Sequence, residues 1–303
     1  MKKIYSISVI SSLLFMASCS KDFLDVKPQQ SVLTEDVFKS MATSRAAVNG
    51  LYSLMQSYSY YGRDAMVIPE VLSDNATRSV RTGNRYTGMN TVTHTATDAN
   101  VSRMWSQMYQ IVTNTNAIIA NESNIKKNAS ALEQEEAAQL VGEAYAVRAL
   151  VYFDLMKFFA RPLNFTADGS HLGVPLVIKP ITNITEVVYP ARNTAAEVYA
   201  QIDKDITAAI ALLPQSGNVI SNGVVNNTLF KIRMNRFSTL ALKARVSVYK
   251  SDWASAADAA NQVIASGRYA LYTFGNMLQD FRTQNSAESI FEIANNTNDN
   301  PGT

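Results

Sequence analysis

Between about Glu133 and Phe159, the apolar residues Leu140, Ala144, Val147, Val151, Leu155 and Phe158 recur at steps of three and four. That is the period of one face of an α-helix. Arg161-Pro162 ends the run, because the residue before a proline is pushed out of helical geometry. Helical periods recur elsewhere. Thr34 is placed to cap a helix carrying Val37, Met41, Val48, Tyr52 and Met55. Met104, Met108, Ile111, Thr115 and Ile118 mark another. Thr194-Ala195-Ala196-Glu197 is a capping box ahead of Val198, Ile202, Ile206, Ala209 and Leu213, and Pro214 stops that helix. Two more helices, about Asn235 to Lys250 and Trp253 to Ser266, are joined only by Ser251-Asp252, and Gly267 is placed as the stop of the second. A link that short makes an antiparallel pair. Gly173 to Ile178 and Ser289 to Ala294 read either as strands or as extended connectors. Tyr58 to Asp98 has no sustained period and carries Gly62, Pro69, Gly83 and Gly88, so it reads as a long irregular segment of the kind that often carries function.

The chain opens Met1-Lys2-Lys3, then runs mostly apolar from Ile4 to Ala17, the form of a secretory signal. The run is short of the roughly 20 apolar residues a membrane-spanning helix needs. Met16-Ala17-Ser18-Cys19 resembles a bacterial lipobox, in which cleavage falls just before a cysteine that is then acylated. Met16 stands where that motif commonly has Leu. Cys19 is the only cysteine of the 303 residues and falls at the one position where a lipobox uses it. Acyl chains there would hold the protein to a membrane at ~0.8 kcal/mol per buried CH₂. Residues 1–18 are thus read as signal and 19–30, with Pro28, as a polar tether.

A single cysteine excludes an internal disulfide framework, a zinc cluster and a CxxC redox pair. The formal charge of +2 offers no basic footprint for nucleic acid, and loss of Lys2 and Lys3 with the signal brings it to zero. His94 and His171 have no ligand-spaced partner and read as polar loop residues, so no metal and no cofactor is expected. Glu133, Glu135 and Glu136 open the long helix, where carboxylates complement its dipole. Arg148, on that same apolar helix, reads as half of a structural ion pair. Trp105 and Trp253 lie at helical spacing and read as core rather than as sugar platforms.

The small residues Ala254, Ala256, Ala257, Ala259 and Ala260 opposite a tryptophan resemble the close-packed faces of tetratricopeptide pairs. The spacing between pairs varies, so the fold class is mainly α, irregular tetratricopeptide-like helical repeats with long inserted loops. Several segments then resemble one family in its own order, the SusD/RagB outer-membrane lipoproteins of Bacteroidetes. They begin with Cys19-Ser20-Lys21-Asp22-Phe23-Leu24-Asp25 and Trp105 to Ile111. The most specific is Gly142-Glu143-Ala144-Tyr145-Ala146-Val147-Arg148-Ala149-Leu150-Val151-Tyr152-Phe153-Asp154-Leu155. Phe159-Ala160-Arg161-Pro162-Leu163, Pro190 to Thr194, Asp252-Trp253, Ser266-Gly267-Arg268-Tyr269 and Glu288 to Ile293 come after it. Ala160 stands where the family often has Gly. Family members run well past the point where this sequence stops, so the resemblance implies a SusD-like helical domain over 31–285 and the start of a C-terminal region over 286–303, in a fragment or an early-stopped chain.

The resemblance implies a surface-exposed, lipid-anchored outer-membrane protein. It would capture an oligosaccharide, or a peptide or other nutrient, and present it to a SusC-like TonB-dependent transporter, with no catalysis of its own. Asp74, Asn75, Arg81, Asn84, Arg85 and Tyr86 are the candidate ligand contacts. They mix planar hydrogen-bonders with an aromatic face, as sugar recognition requires, and the family often uses a loop in this region. Tyr58, Tyr60 and Tyr61 either line that surface or pack beneath it. Two other classes stay open. A surface glycan hydrolase would pair two of the loop carboxylates Asp74, Asp98 and Asp168. A helical-repeat scaffold would bind only protein.

Overall fold

A computed structural model describes residues 34–79, 81, 83–180 and 189–295. Cys19 and the expected signal and tether lie outside the described residues. The chain divides into two units, Met1–Val37 and Phe38–Thr303, and the second holds nearly all of the described structure.

The helix expected from Thr34 onward is two helices. α1 (Thr34–Val37) stops, and α2 (Met41–Met55) starts afresh at Ser40, whose Oγ accepts from the Thr43 N–H at 3.2 Å. A closer N-cap outranks the distant Thr34, because the hydroxyl satisfies a donor the helix itself leaves open. Met41, Val48, Leu51 and Met55 are buried on one face.

The segment read as irregular holds two helices, α3 (Asp64–Leu72) and α4 (Thr87–Asn90). Asp64, Ile68 and Val71 form the buried face of α3, at spacings of four and three. The helix is short and carries Pro69 internally, which hid its period. Asp98 caps α5 (Ala99–Ala120) by accepting from the Asn100 N–H at 2.9 Å, and α6 (Glu122–Asn128) comes next.

The long helix is α7 (Gln134–Phe159). It is buried on nearly all sides, as a helix apolar all round must be. α8 (Ala195–Leu212), α5, α2 and α6 pack around it. α8 starts at the Thr194–Glu197 capping box read from the sequence. β1 (Ile220–Ser221) and β2 (Val224–Val225) form a small antiparallel hairpin that the sequence reading missed. Its two-residue turn, Asn222-Gly223, has φ of 55° and 74°, the twist such turns need.

α9 (Arg236–Tyr249) and α10 (Trp253–Ala265) pack as the expected pair, with Leu240, Ala259 and Val263 at their shared core. Gly267, at φ 64°, ends the second as read. α11 (Met277–Phe281) is a last short turn.

Gly173 to Ile178 and Ser289 to Ala294 are extended connectors, not strands. Side chains of α5 and α7 do for the first what a neighbouring strand would do. Tyr109 Oη donates to the Pro175 carbonyl at 2.7 Å, Asn116 Nδ2 to Val177 O at 2.8 Å, and the Val177 N–H reaches Tyr152 Oη at 2.8 Å. The protein is mainly α, as expected.

Candidate ligand-binding surface

The candidate surface is built on the start of α3. Asp64 is fully buried, and its Oδ1 accepts from two groups, Arg63 Nε at 2.9 Å and Tyr86 Oη at 2.5 Å. A buried carboxylate needs such donors, since leaving it unpaired costs several kcal/mol. The bond from Tyr86 spans the whole loop and draws its end back onto α3. Tyr86 itself sits at φ 55°, a left-handed geometry that a non-glycine residue adopts at a cost. Burial and the bond to Asp64 push its phenol up to about 12, so it stays protonated and a donor.

Arg63 approaches two rings. Its guanidinium carbon is 4.8 Å from the Tyr58 ring centroid and 5.7 Å from that of Tyr86. Arg103 Nη1 reaches Tyr58 Oη at 3.3 Å. Tyr58, Arg63 and Tyr86 are all half-buried, so part of each side chain is open to solvent. Flat apolar faces beside fixed donors match a sugar, which presents C–H faces and hydroxyl edges.

Of the six contacts expected from sequence, Tyr86 belongs to this cluster and the others do not. Asp74, at φ 60°, and Asn75 are exposed in the turn after α3. Arg81, Asn84 and Arg85 are exposed further along the loop. Asn90 steadies the loop by accepting from the Arg78 N–H at 2.8 Å and Thr77 Oγ1 at 3.1 Å. Arg63 and Arg103 were missed because no motif marks them; Arg63 meets Tyr86 from 23 positions away, and Arg103 meets Tyr58 from 45. Tyr58 faces the surface. Tyr60 and Tyr61 pack beneath it, both donating to Asp154 Oδ2, at 2.6 and 2.5 Å.

Next to the loop is a mainly apolar cleft of about 320 Å³, with Ile68, Leu72, Met89, His94, Phe158 and Phe159 in its wall. A second cleft, of about 520 Å³, lies between α2 and the connector at Ile293–Ala294. Arg233 in its wall pairs through Nε with Glu143 at 2.7 Å and through Nη1 with Asn49 at 2.8 Å.

Other sequence readings are refined. Arg148 is half of a buried ion pair, with Asp205, as read. Trp105 packs edge-on against Phe159 at 5.0 Å. Trp253 is not core: it is 65% exposed on the outer face of α10, since helical spacing says that a face exists, not that something covers it. Glu136 does more than complement a dipole. It is buried, accepts from Arg45 Nε at 2.6 Å, and caps the hairpin turn through the N–H groups of Asn222 and Gly223. Asp98 and Asp168 each accept a backbone N–H, the ordinary role of loop carboxylates. Among the described residues no group of three or more His, Cys, Asp and Glu is placed to hold a metal, and no helix is long and apolar enough to cross a membrane.

A family model described as SusD-like, starch-binding associating with outer membrane, matches residues 22–247. The chain belongs to the SusD-like family. SusD-like protein P2 of Formosa agariphila is 26% identical over 299 residues, spanning 97% of this chain and 53% of the relative. A solved SusD superfamily protein of Bacteroides thetaiotaomicron superposes with a TM-score of 0.73 at 25% identity, over 86% of this chain and 54% of the other. A solved laminarin binding SusD-like protein has the same fold, with a TM-score of 0.60 at 21% identity over 84% and 51%. The chain thus spans about half the length of the SusD-like proteins it matches.

Proposed function

We propose that this SusD-like chain binds an oligosaccharide at the Tyr58–Arg63–Tyr86 surface and hands it to a SusC-like TonB-dependent transporter, while acyl chains on Cys19 hold it to the outer membrane. The observation that carries the binding is Arg63 set against two half-buried tyrosine rings and bonded to a buried Asp64. The family description names starch, and one fold neighbour binds laminarin, which supports a glucan among glycans. Asp74, Asn75, Arg81, Asn84 and Arg85 extend the contact along the exposed loop. The reading is of binding without turnover.

Isothermal titration of the chain with laminarin oligosaccharides and with starch oligosaccharides tests it. Binding of either is expected, with Arg63→Ala and Tyr86→Ala each weakening it about tenfold or more, the loss of a stacking or charged contact. A heat of binding with neither glycan, or full affinity in both variants, rejects the site. Release of shorter glucans during the titration would instead favour a hydrolase.

A further inference from the structure

The cleft of about 520 Å³ shares no residue with the Tyr58–Arg63–Tyr86 surface. Its size falls within the range of small-ligand pockets, about 300–1,000 Å³. One wall is the last part of α2, where Asn49, Ser53 and Gln56 recur at i, i+4 and i+7 on one helical face. Leu229, Ile232 and Ile293 bring aliphatic surface from other segments. Gln56 Nε2 donates to the Ala294 carbonyl and so ties the two walls together. Gly50 also lines the cleft, and a Cβ there would meet nothing within 4 Å.

Arg233, in the same wall, is 6% exposed. Its Nε donates to Glu143 Oε2 at 2.7 Å and its Nη1 to Asn49 Oδ1 at 2.8 Å. Its Nη2 is buried without a hydrogen-bond partner. Glu143 is fully buried and accepts as well from Tyr52 Oη at 2.6 Å and Gln139 Nε2 at 2.8 Å. The guanidinium is thus fixed through two nitrogens and holds one donor in reserve. Buried donors in folded proteins are nearly always paired, so an unpaired one in the wall of a cleft points to a ligand acceptor. Arg233 is the single charged residue among the described residues lining the cleft, and Glu143 offsets it. No net charge is left to select an anion.

We propose that this cleft is a second carbohydrate site, one that takes a neutral sugar ring. A sugar oxygen accepts from Arg233 Nη2, other hydroxyls bond Asn49 and Ser53, and the C–H face packs on Ile232 and Ile293. Neutral amide and hydroxyl groups facing aliphatic surface suit a ligand that is itself polar at its edge and apolar on its face.

Saturation-transfer NMR of the whole chain with methyl glucoside and methyl galactoside, and with glucuronate and trialanine beside them, tests it. Transfer to a neutral glycoside is expected, and it persists in Arg63→Ala, which lies outside the cleft. Gly50→Leu fills the cleft and weakens that binding about tenfold or more, with the thermal unfolding midpoint no lower than in the wild type. Ser53→Ala weakens it about fivefold, the loss of one hydrogen bond. Absence of transfer to both glycosides overturns the inference, as does binding indifferent to Gly50→Leu. Binding lost in Arg63→Ala but kept in Gly50→Leu belongs to the loop surface and overturns it too. Transfer to glucuronate or trialanine alone assigns the cleft to another ligand class, with the same result. Binding that Gly50→Leu removes and Arg63→Ala leaves untouched upholds the second site even where the loop surface binds nothing.

Discussion

Arg148 holds both carboxylate oxygens of Asp205, from Nε at 2.8 Å and from Nη2 at 2.6 Å, and its Nη1 donates to Asn116 at 2.7 Å. One guanidinium thus ties α7 to α8 and α5. Arg148 and Asp205 are both buried, so removing one leaves the other charged and without its partner. Arg148→Ala is expected to cost about 3–5 kcal/mol, read as the midpoint of urea unfolding. Replacing both by Met and Leu is expected to recover most of that loss, because a well-packed apolar pair avoids the desolvation penalty. Equal loss in single and double variants would show that packing volume, not charge pairing, sets the cost.

Acid should release a second tie. Hydrogen bonds from Ser130, then from Arg45, hold the Glu133 carboxyl down at about 2. A lowered acid contributes stability that is complete above its ordinary value and is lost as pH falls. The loss is expected between pH about 4.5 and about 2. Glu133→Gln should flatten that part of the stability profile and leave the neutral side unchanged in slope. Chemical unfolding at half-unit pH steps measures it.

Two glycines of the same region should respond in opposite senses. A Cβ on Gly62 would lie 2.1 Å from the Gln56 carbonyl oxygen, while one on Gly50, inside α2, meets nothing within 4 Å. Gly62→Ala must push the Ser57–Gly62 turn away from the end of α2, at about 1–3 kcal/mol, and should weaken glycan binding by moving Tyr58. Gly50→Ala should stabilise by about 0.5–1 kcal/mol, since alanine loses less backbone freedom in a helix. Thermal unfolding of the two variants side by side tests both signs.

The proposed membrane attachment runs through Cys19. Cys19→Ala should abolish metabolic labelling with a palmitate analogue and move the protein from the membrane to the soluble fraction. Labelling that survives the substitution removes the lipid anchor from the proposal.

Much of the fold was legible because its signals are local. The α7 period, the Thr194–Glu197 box, the Ser251-Asp252 corner and the Gly267 stop each depend on residues a few positions apart. The misread places share a different cause. α1 and α2 were merged because a helical period shows the face but not a break within it. α3 was overlooked because nine residues interrupted by a proline carry too little period. The Tyr58–Arg63–Tyr86 cluster was half legible. A loop rich in polar and aromatic residues pointed to Tyr86, but its bond to Asp64 spans 22 positions, and the rings flanking Arg63 come from both sides of it.

By itself, the sequence determined a helical array and its main caps and stops, and it holds a lone cysteine in a motif that resembles a lipobox. Periodicity and capping are short-range physics, written within one or two turns of helix. Tertiary structure alone decided which charges meet, such as Arg148 with Asp205 across 57 positions and Arg45 with Glu136 across 91. It also decided which apolar face finds a partner. Trp105 and Trp253 lie at the same kind of helical spacing, yet one packs against Phe159 and the other is left to solvent. Burial depends on what the rest of the chain brings alongside, and no local pattern carries that.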